Sequence, residues 1–172
     1  EYADAGCERA RQLGNRGPIR FDANGRLQQD IIDAYHRAGF YVFTGVLSPA
    51  EIDDLTTEFD ALLDNAPSTI DGEIDRHGRP VKFAGYYTLS APRPESTGDD
   101  RSPDKSARAI VGLVSHPLMM MDSALRVYGH PQILRMVESI NGADFIPFHE
   151  SIFHKGAGEG PPTAWHQDGR TH

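Results

Sequence analysis

The sequence predicts an α+β fold, with helices gathered in the first part of the chain and strand patterns concentrated near its C-terminal end. Apolar residues recur at helical spacing through residues 27–63 and again through 117–140, whereas from Phe145 onward the pattern turns to that of a strand. A chain of 172 residues and 19.0 kDa is the size of one domain, long enough to bury an apolar core without disulfide staples. Because the strands gather so late, a β-rich C-terminal half is expected to be missing from the chain.

Residues 1–26 are rich in Gly, Arg and Asn with little periodicity, and are assigned as an N-terminal arm without a function. Leu27, Ile31, Ile32, Tyr35 and Ala38 then follow helical spacing, and Gly39 is placed to end that helix in a left-handed cap. Phe40–Thr44 is a short run of β-formers between two glycines and predicts a strand of about five residues. Ser48-Pro49-Ala50-Glu51 is a capping box with proline at the first helical position, so a second helix starts there. Ile52, Leu55, Phe59, Leu62 and Leu63 form its buried stripe, and Asn65 and Pro67 end it. Residues 68–108, full of Gly, Pro, Ser and Asp around one short strand at Lys82–Leu89, form a long loop, either a functional lid or a disordered insertion. Prolines open two further helices, Pro117–Tyr128 and Pro131–Ile140, and Asn141-Gly142 closes the second. Their apolar residues, Met119 to Met121, Leu125, Ile133, Leu134, Met136 and Val137, are read as core. Phe145–Lys155 predicts a strand with Pro147 near its start, and a Gly- and Pro-rich turn over 156–162 leads into Thr163–Gly169.

The formal net charge of −8 makes nucleic acid and anionic membranes poor partners. The least polar stretch, Ala109–Met121, falls far short of the roughly 20 apolar residues of a membrane span. Cys7 stands alone, which leaves no intramolecular disulfide and no cysteine-based zinc site, and agrees with a reducing, cytoplasmic location.

His166-Gln167-Asp168 is an H-x-D triplet. On a strand, residues two apart share a face, so an imidazole and a carboxylate there can bind one metal side by side. With a second histidine they make the facial triad of non-haem Fe(II) oxygenases, which keeps open positions for cosubstrate and O2. With 8 His and 16 Asp in the chain, roughly 0.7 such triplets arise by chance, so the triplet alone is a weak signal.

Its surroundings strengthen it. Phe148-His149-Glu150-Ser151-Ile152-Phe153-His154-Lys155, the turn that follows and Trp165-His166-Gln167-Asp168-Gly169 closely resemble the phytanoyl-CoA dioxygenase family of Fe(II)- and 2-oxoglutarate-dependent oxygenases. The helix His130–Glu138 with its Asn141-Gly142 exit resembles the same family. So do Gly39–Phe43 and Gly45–Ile52, which look like its opening helix, strand and helix. The resemblance spans residues 27–169, with a gap of low similarity over the 68–108 loop.

The resemblance implies a double-stranded β-helix, or jelly roll, with flanking N-terminal helices, truncated here after the strand that carries the H-x-D motif. It implies that His166 and Asp168 are two of three Fe(II) ligands, and that a further histidine and an arginine for the far carboxylate of 2-oxoglutarate lie beyond residue 172. It also implies cosubstrate contacts from the strand before the turn, where His149 and Ser151 are the matching positions. An ordinary barrel-lining role stays open for both, and Lys155 reads either as a carboxylate partner or as a solvated edge residue. His172 is too close to Asp168 to serve as the missing ligand, and a chain ending there is expected to be a fragment, inactive alone.

The reaction implied is O2-dependent decarboxylation of 2-oxoglutarate to succinate, coupled to hydroxylation of a C–H bond of a small-molecule substrate. Asp168 favours hydroxylation, because related halogenases carry a small residue at that position. A non-catalytic jelly-roll binding domain and a zinc-dependent hydrolase are the competing readings. Three other patterns carry nothing. His149, Glu150 and His154 miss the helical H-E-x-x-H spacing by one residue. The glycines at 156, 158 and 160 lack the lysine and hydroxyl residue of a phosphate loop. His36, His77, His116 and His130 read as surface or capping residues.

Overall fold

The first 26 residues carry more regular structure than their weak periodicity predicts: Tyr2–Arg11 forms helix α1 and Arg16–Pro18 forms strand β1. β1 pairs in parallel with β2, Val42–Thr44, in the register Arg16 to Val42 and Pro18 to Thr44. The strand expected at 40–44 is thus cut to the three residues that find a partner, since a strand is defined by its ladder as much as by its β-formers. The buried Asn15 fastens the approach to this pair: its side-chain amide donates to the Phe40 carbonyl at 3.1 Å, and its own carbonyl accepts from the Val42 N–H at 2.9 Å.

The computed structural model describes residues 2–91, 109–146, 149–156, 164 and 166. They divide into two compact units, Glu1–Thr56 with Met121–Phe148, and Thr57–Met120 with His149–His172.

In the first unit the predicted helix appears as α2, Gln29–Ala38. Gly39 ends it at φ 79°, where a Cβ would be strained, and its N–H caps the Tyr35 carbonyl at 2.7 Å. Ile31 and Ala34 are its buried face, and Leu27 just before it is buried too. Helix α3, Pro49–Asp64, opens as its sequence predicts: the Ser48 N–H donates to the Glu51 carboxylate at 2.7 Å, and the Glu51 N–H donates to the Ser48 hydroxyl at 3.3 Å. The carboxylate also accepts from the Ser48 hydroxyl at 2.7 Å, and the bonds from the Ser48 N–H and then its hydroxyl hold the Glu51 carboxyl below its ordinary value. The stripe expected on α3 is only partly buried, because Leu62 lies in the core while Ile52 is 52% exposed.

The single helix predicted over 117–128 is two pieces. A 3₁₀ turn at Pro117–Met119 precedes α4, Asp122–Tyr128, and the break falls at Met120 and Met121, whose extended backbone at 121 starts the second piece. Met121 is buried, but Met119 and Leu125, expected in the core, are 59% and 52% exposed. Helix α5, Pro131–Asn141, runs as predicted and ends at Gly142. Ser139 on α5 accepts a hydrogen bond from the Leu27 N–H at 3.0 Å, joining it to the entry of α2. Arg126 of α4 pairs with Asp54 of α3 at 2.9 Å.

The second unit is built on a three-stranded antiparallel sheet in the order β3-β4-β5: Tyr87–Ser90, Ile110–Ser115 and Ser151–Phe153. Its central strand, β4, is a correction to the expectation that strands gather only near the end of the chain. Ile110-Val111-Gly112-Leu113-Val114-Ser115 is a mostly apolar run without alternation, which periodicity alone does not assign to a strand. Val114, fully buried, stands opposite Ile152, while Leu113 stands opposite Phe153. The strand expected at 145–155 forms over Ser151–Phe153 alone, with Pro147 and Phe148 outside the described residues. The one expected at 82–89 is preceded by a 3₁₀ turn, Ala84–Tyr86, and shifts to 87–90. The jelly roll implied by resemblance goes further than these two small sheets.

The first part of the long loop is anchored. Residues 66–80 fold back through the bridges Pro67 to Asp75 and Ile74 to Pro80, and Asp75 is buried at its centre. The Asp75 carboxylate accepts from the N–H groups of His77 and Arg79 at 2.8 and 2.9 Å, and from the Arg79 guanidinium at 2.7 Å. Burial pushes this carboxyl up, but those bonds outweigh it and hold it below the ordinary range. Asp64, at the end of α3, is held low in turn by the His77 ring and then by the Arg76 charge. Residues 92–108, the remainder of the loop, lie outside the described residues.

Since its folded-state value is depressed, the Asp75 carboxylate stabilises the fold above its unfolded value of about 3.9, and that contribution is lost as the pH falls through the lower folded value. Asp75→Ala should therefore lower the thermal midpoint by several degrees at neutral pH, and the gap to wild type should close below about pH 4. A gap that persists undiminished in acid would assign the effect to packing instead of charge.

Candidate functional site

His166, the first residue of the H-x-D motif, is exposed and lies outside any described helix or strand, as does Ala164. Most of the strand expected there, residues 163, 165 and 167–169, lies outside the described residues. The His166 ring is nevertheless oriented: Nδ1 lies 2.9 Å from the Ala164 carbonyl oxygen. A carbonyl only accepts, so Nδ1 carries the proton and Nε2 keeps its lone pair. Histidines that bind a metal through Nε2 are held in this tautomer by such a bond. The donor chemistry of His166 thus fits a metal ligand. Asp168 lies outside the described residues.

Ser151 is the first residue of β5, and His149 lies two residues before it. Ser151 is half-buried and stands opposite Ser115 of β4. Strand alternation puts Ser151 and Phe153 on one face and Ile152 on the other, as the sequence predicts. Phe153 is 76% exposed whereas Ile152 faces the buried Val114 side, so the Ser151 face is the open one. His149 is exposed and meets the His116 ring edge-on, with centroids 5.7 Å apart. Among the described residues, no three His, Cys, Asp or Glu side chains gather to hold a metal ion.

The structure brings His149 together with residues that their spacing alone assigns no role. Phe83 and Tyr86 stack in parallel with centroids 5.4 Å apart. The Tyr86 and His116 rings meet at 5.1 Å, and His116 meets His149. His116 is therefore more than a surface residue. Its N–H donates to the Glu150 carbonyl at 3.3 Å, and its Nδ1 lies 3.6 Å from the Glu150 carboxylate. Phe83 at φ 66° and His116 at φ 55° are both left-handed without being glycine. Each precedes a 3₁₀ turn, and in such a turn residues three apart eclipse, which is why Phe83 lies over Tyr86. Strained backbone at two members of one ring array is the kind held at functional sites. The Phe83-x-x-Tyr86 spacing and the His116-Pro117 step are in the sequence, but the left-handed geometry that makes them converge is not.

No helix among the described residues is long and apolar enough to cross a membrane. No curated protein and no solved structure matches the chain. The family model for phytanoyl-CoA dioxygenase (PhyH) matches residues 35–172, well over half of the chain and inclusive of α3 and the H-x-D motif. The chain belongs to the phytanoyl-CoA dioxygenase family, a family of Fe(II)- and 2-oxoglutarate-dependent oxygenases.

Proposed function

We propose that this chain carries iron- and cosubstrate-binding residues of an Fe(II)- and 2-oxoglutarate-dependent dioxygenase that hydroxylates a C–H bond of a small molecule. The observation that carries the reading is the family match across residues 35–172, which includes the His166-Gln167-Asp168 motif. His166 through Nε2 and Asp168 through its carboxylate would hold the iron. Bound there, Fe(II) with 2-oxoglutarate supplies the activation of O2 for C–H oxidation.

What the chain's own residues do is bind and orient. The Ala164 carbonyl lies 2.9 Å from His166 Nδ1, and in the neutral ring this bond places the proton there and the lone pair on Nε2. His149 and Ser151 contact the cosubstrate from the open face of the sheet, and the pairing of Ser151 with Ser115 fixes their height along it. The buried Val114 and Ile152 side gives that face a rigid backing. A cytoplasmic location accords with Cys7, the single and exposed cysteine.

The full-length protein, supplied with Fe(II), 2-oxoglutarate and O2, is expected to release succinate and CO2 even without substrate, and to stop when either iron or O2 is withheld. Succinate formation indifferent to iron, or activity restored by zinc alone, would favour the hydrolytic reading. No turnover at full iron occupancy would favour the binding domain.

A further inference from the structure

The ring array has a second end. Phe83 and Met119, which bound it away from His149, also line a cavity of about 340 Å³ in the second unit, together with Leu62, Glu58, Lys82 and Met120. That volume lies in the range of small-molecule sites, and the mix of apolar walls with a few charged groups is theirs as well. The Tyr86 hydroxyl meets the Met119 sulfur at 3.7 Å, so the array and the cavity wall are continuous.

Four features of the lining define what would fit. The Lys82 ammonium lies 4.8 Å from the centre of the Phe83 ring and has no carboxylate partner among the described residues, whereas Arg20, Arg76, Arg79 and Arg126 are each paired with an aspartate. It is a cation placed beside an apolar wall. The two methionines and Phe83 give a surface that adapts to a flat ring, because thioether sulfur makes favourable contacts with aromatic edges. Tyr87, whose hydroxyl donates to the Leu62 carbonyl at 3.3 Å, is pushed up to about 12 by burial and adds no negative charge. Glu58 has an interaction partner of its own and is the one acid of the lining.

We propose that this cavity binds an aromatic carboxylate, with its ring against Phe83, Met119 and Met120 and its carboxylate on Lys82, and that the Phe83, Tyr86, His116 and His149 rings lead from it to β5. As a binding site it stands on these contacts; as the substrate site of the oxygenase it rests on the proposed function. Hydrocinnamate is a suitable probe, compared by calorimetry on the full-length protein with its amine counterpart phenylpropylamine and its saturated counterpart cyclohexylpropanoate. Hydrocinnamate should bind about tenfold or more tightly than the amine, because a charge-assisted contact is made with one and a repulsion with the other. It should also bind more tightly than the saturated acid. Lys82→Glu should reverse the order of acid and amine, and Glu58→Gln, which removes a like charge, should tighten the acid. His166→Ala should leave hydrocinnamate binding intact, so failure of the iron site and failure of this site read out separately. Equal affinity for acid and amine, no response to either charge variant, or displacement of the probe by 2-oxoglutarate would overturn the proposal. Equal binding of the saturated acid would overturn its aromatic part.

Discussion

Replacing either His166 or Asp168 with alanine in the full-length protein is expected to strip it of iron and to lower succinate release by about 100-fold or more. The expectation follows from ligand arithmetic. A facial triad has only three protein donors, and these two supply the one anionic ligand and the one imidazole whose tautomer is visibly fixed, by the Ala164 carbonyl 2.9 Å from Nδ1. Loss of either leaves two protein donors where the triad has three, which weakens the hold on Fe(II) against water. Metal content measured after desalting decides the matter. Iron near one per chain in both variants would mean that the motif is one of the chance triplets its composition allows.

Ile31→Ala should cost about 2–5 kcal/mol of stability, whereas Ile52→Ala should change it by no more than about 0.5 kcal/mol. Both isoleucines sit at predicted buried positions of neighbouring helices, but Ile31 is 1% exposed and Ile52 is 52% exposed. Deleting the first leaves a cavity in the core of its unit, and deleting the second mostly returns exposed surface to water. Urea unfolding of the two variants measures the difference. Similar losses would show that Ile52 is covered in the full-length protein.

The contrast between these residues marks how far the sequence can be read. Spacing, caps and breakers are local, and they foretell α2 with its Gly39 cap, the capping box of α3 and the Pro131 start of α5. Which stripe is buried, and how much of it, depends on what packs there, and periodicity says nothing about the partner. Pairing is the other limit. β1 is a strand because Val42–Thr44 lies beside it, and β4 hides in an apolar run that reads equally as helix or strand.

The site divides in the same way. The residue types and spacing of His166 and Asp168 stand in the sequence, and so does the alternation that sets Ser151 and Phe153 on one face of β5. The ring array was hidden, because it depends on left-handed backbone at Phe83 and His116, residues whose types do not favour it. His116 illustrates the point best. By sequence it is a histidine before a proline with no partner at metal spacing, and in the fold it touches Tyr86, His149 and Glu150.

The most direct test of the central claim is the fate of the oxygen atoms. In oxidative decarboxylation one atom of O2 enters succinate and the other enters the hydroxylated product. The full-length protein, incubated with Fe(II), 2-oxoglutarate and heavy-isotope O2, should yield succinate with one labelled oxygen in its new carboxylate, and the His166→Ala variant should yield none. Unlabelled succinate from the wild-type protein, or labelled succinate undiminished in the variant, would contradict the account.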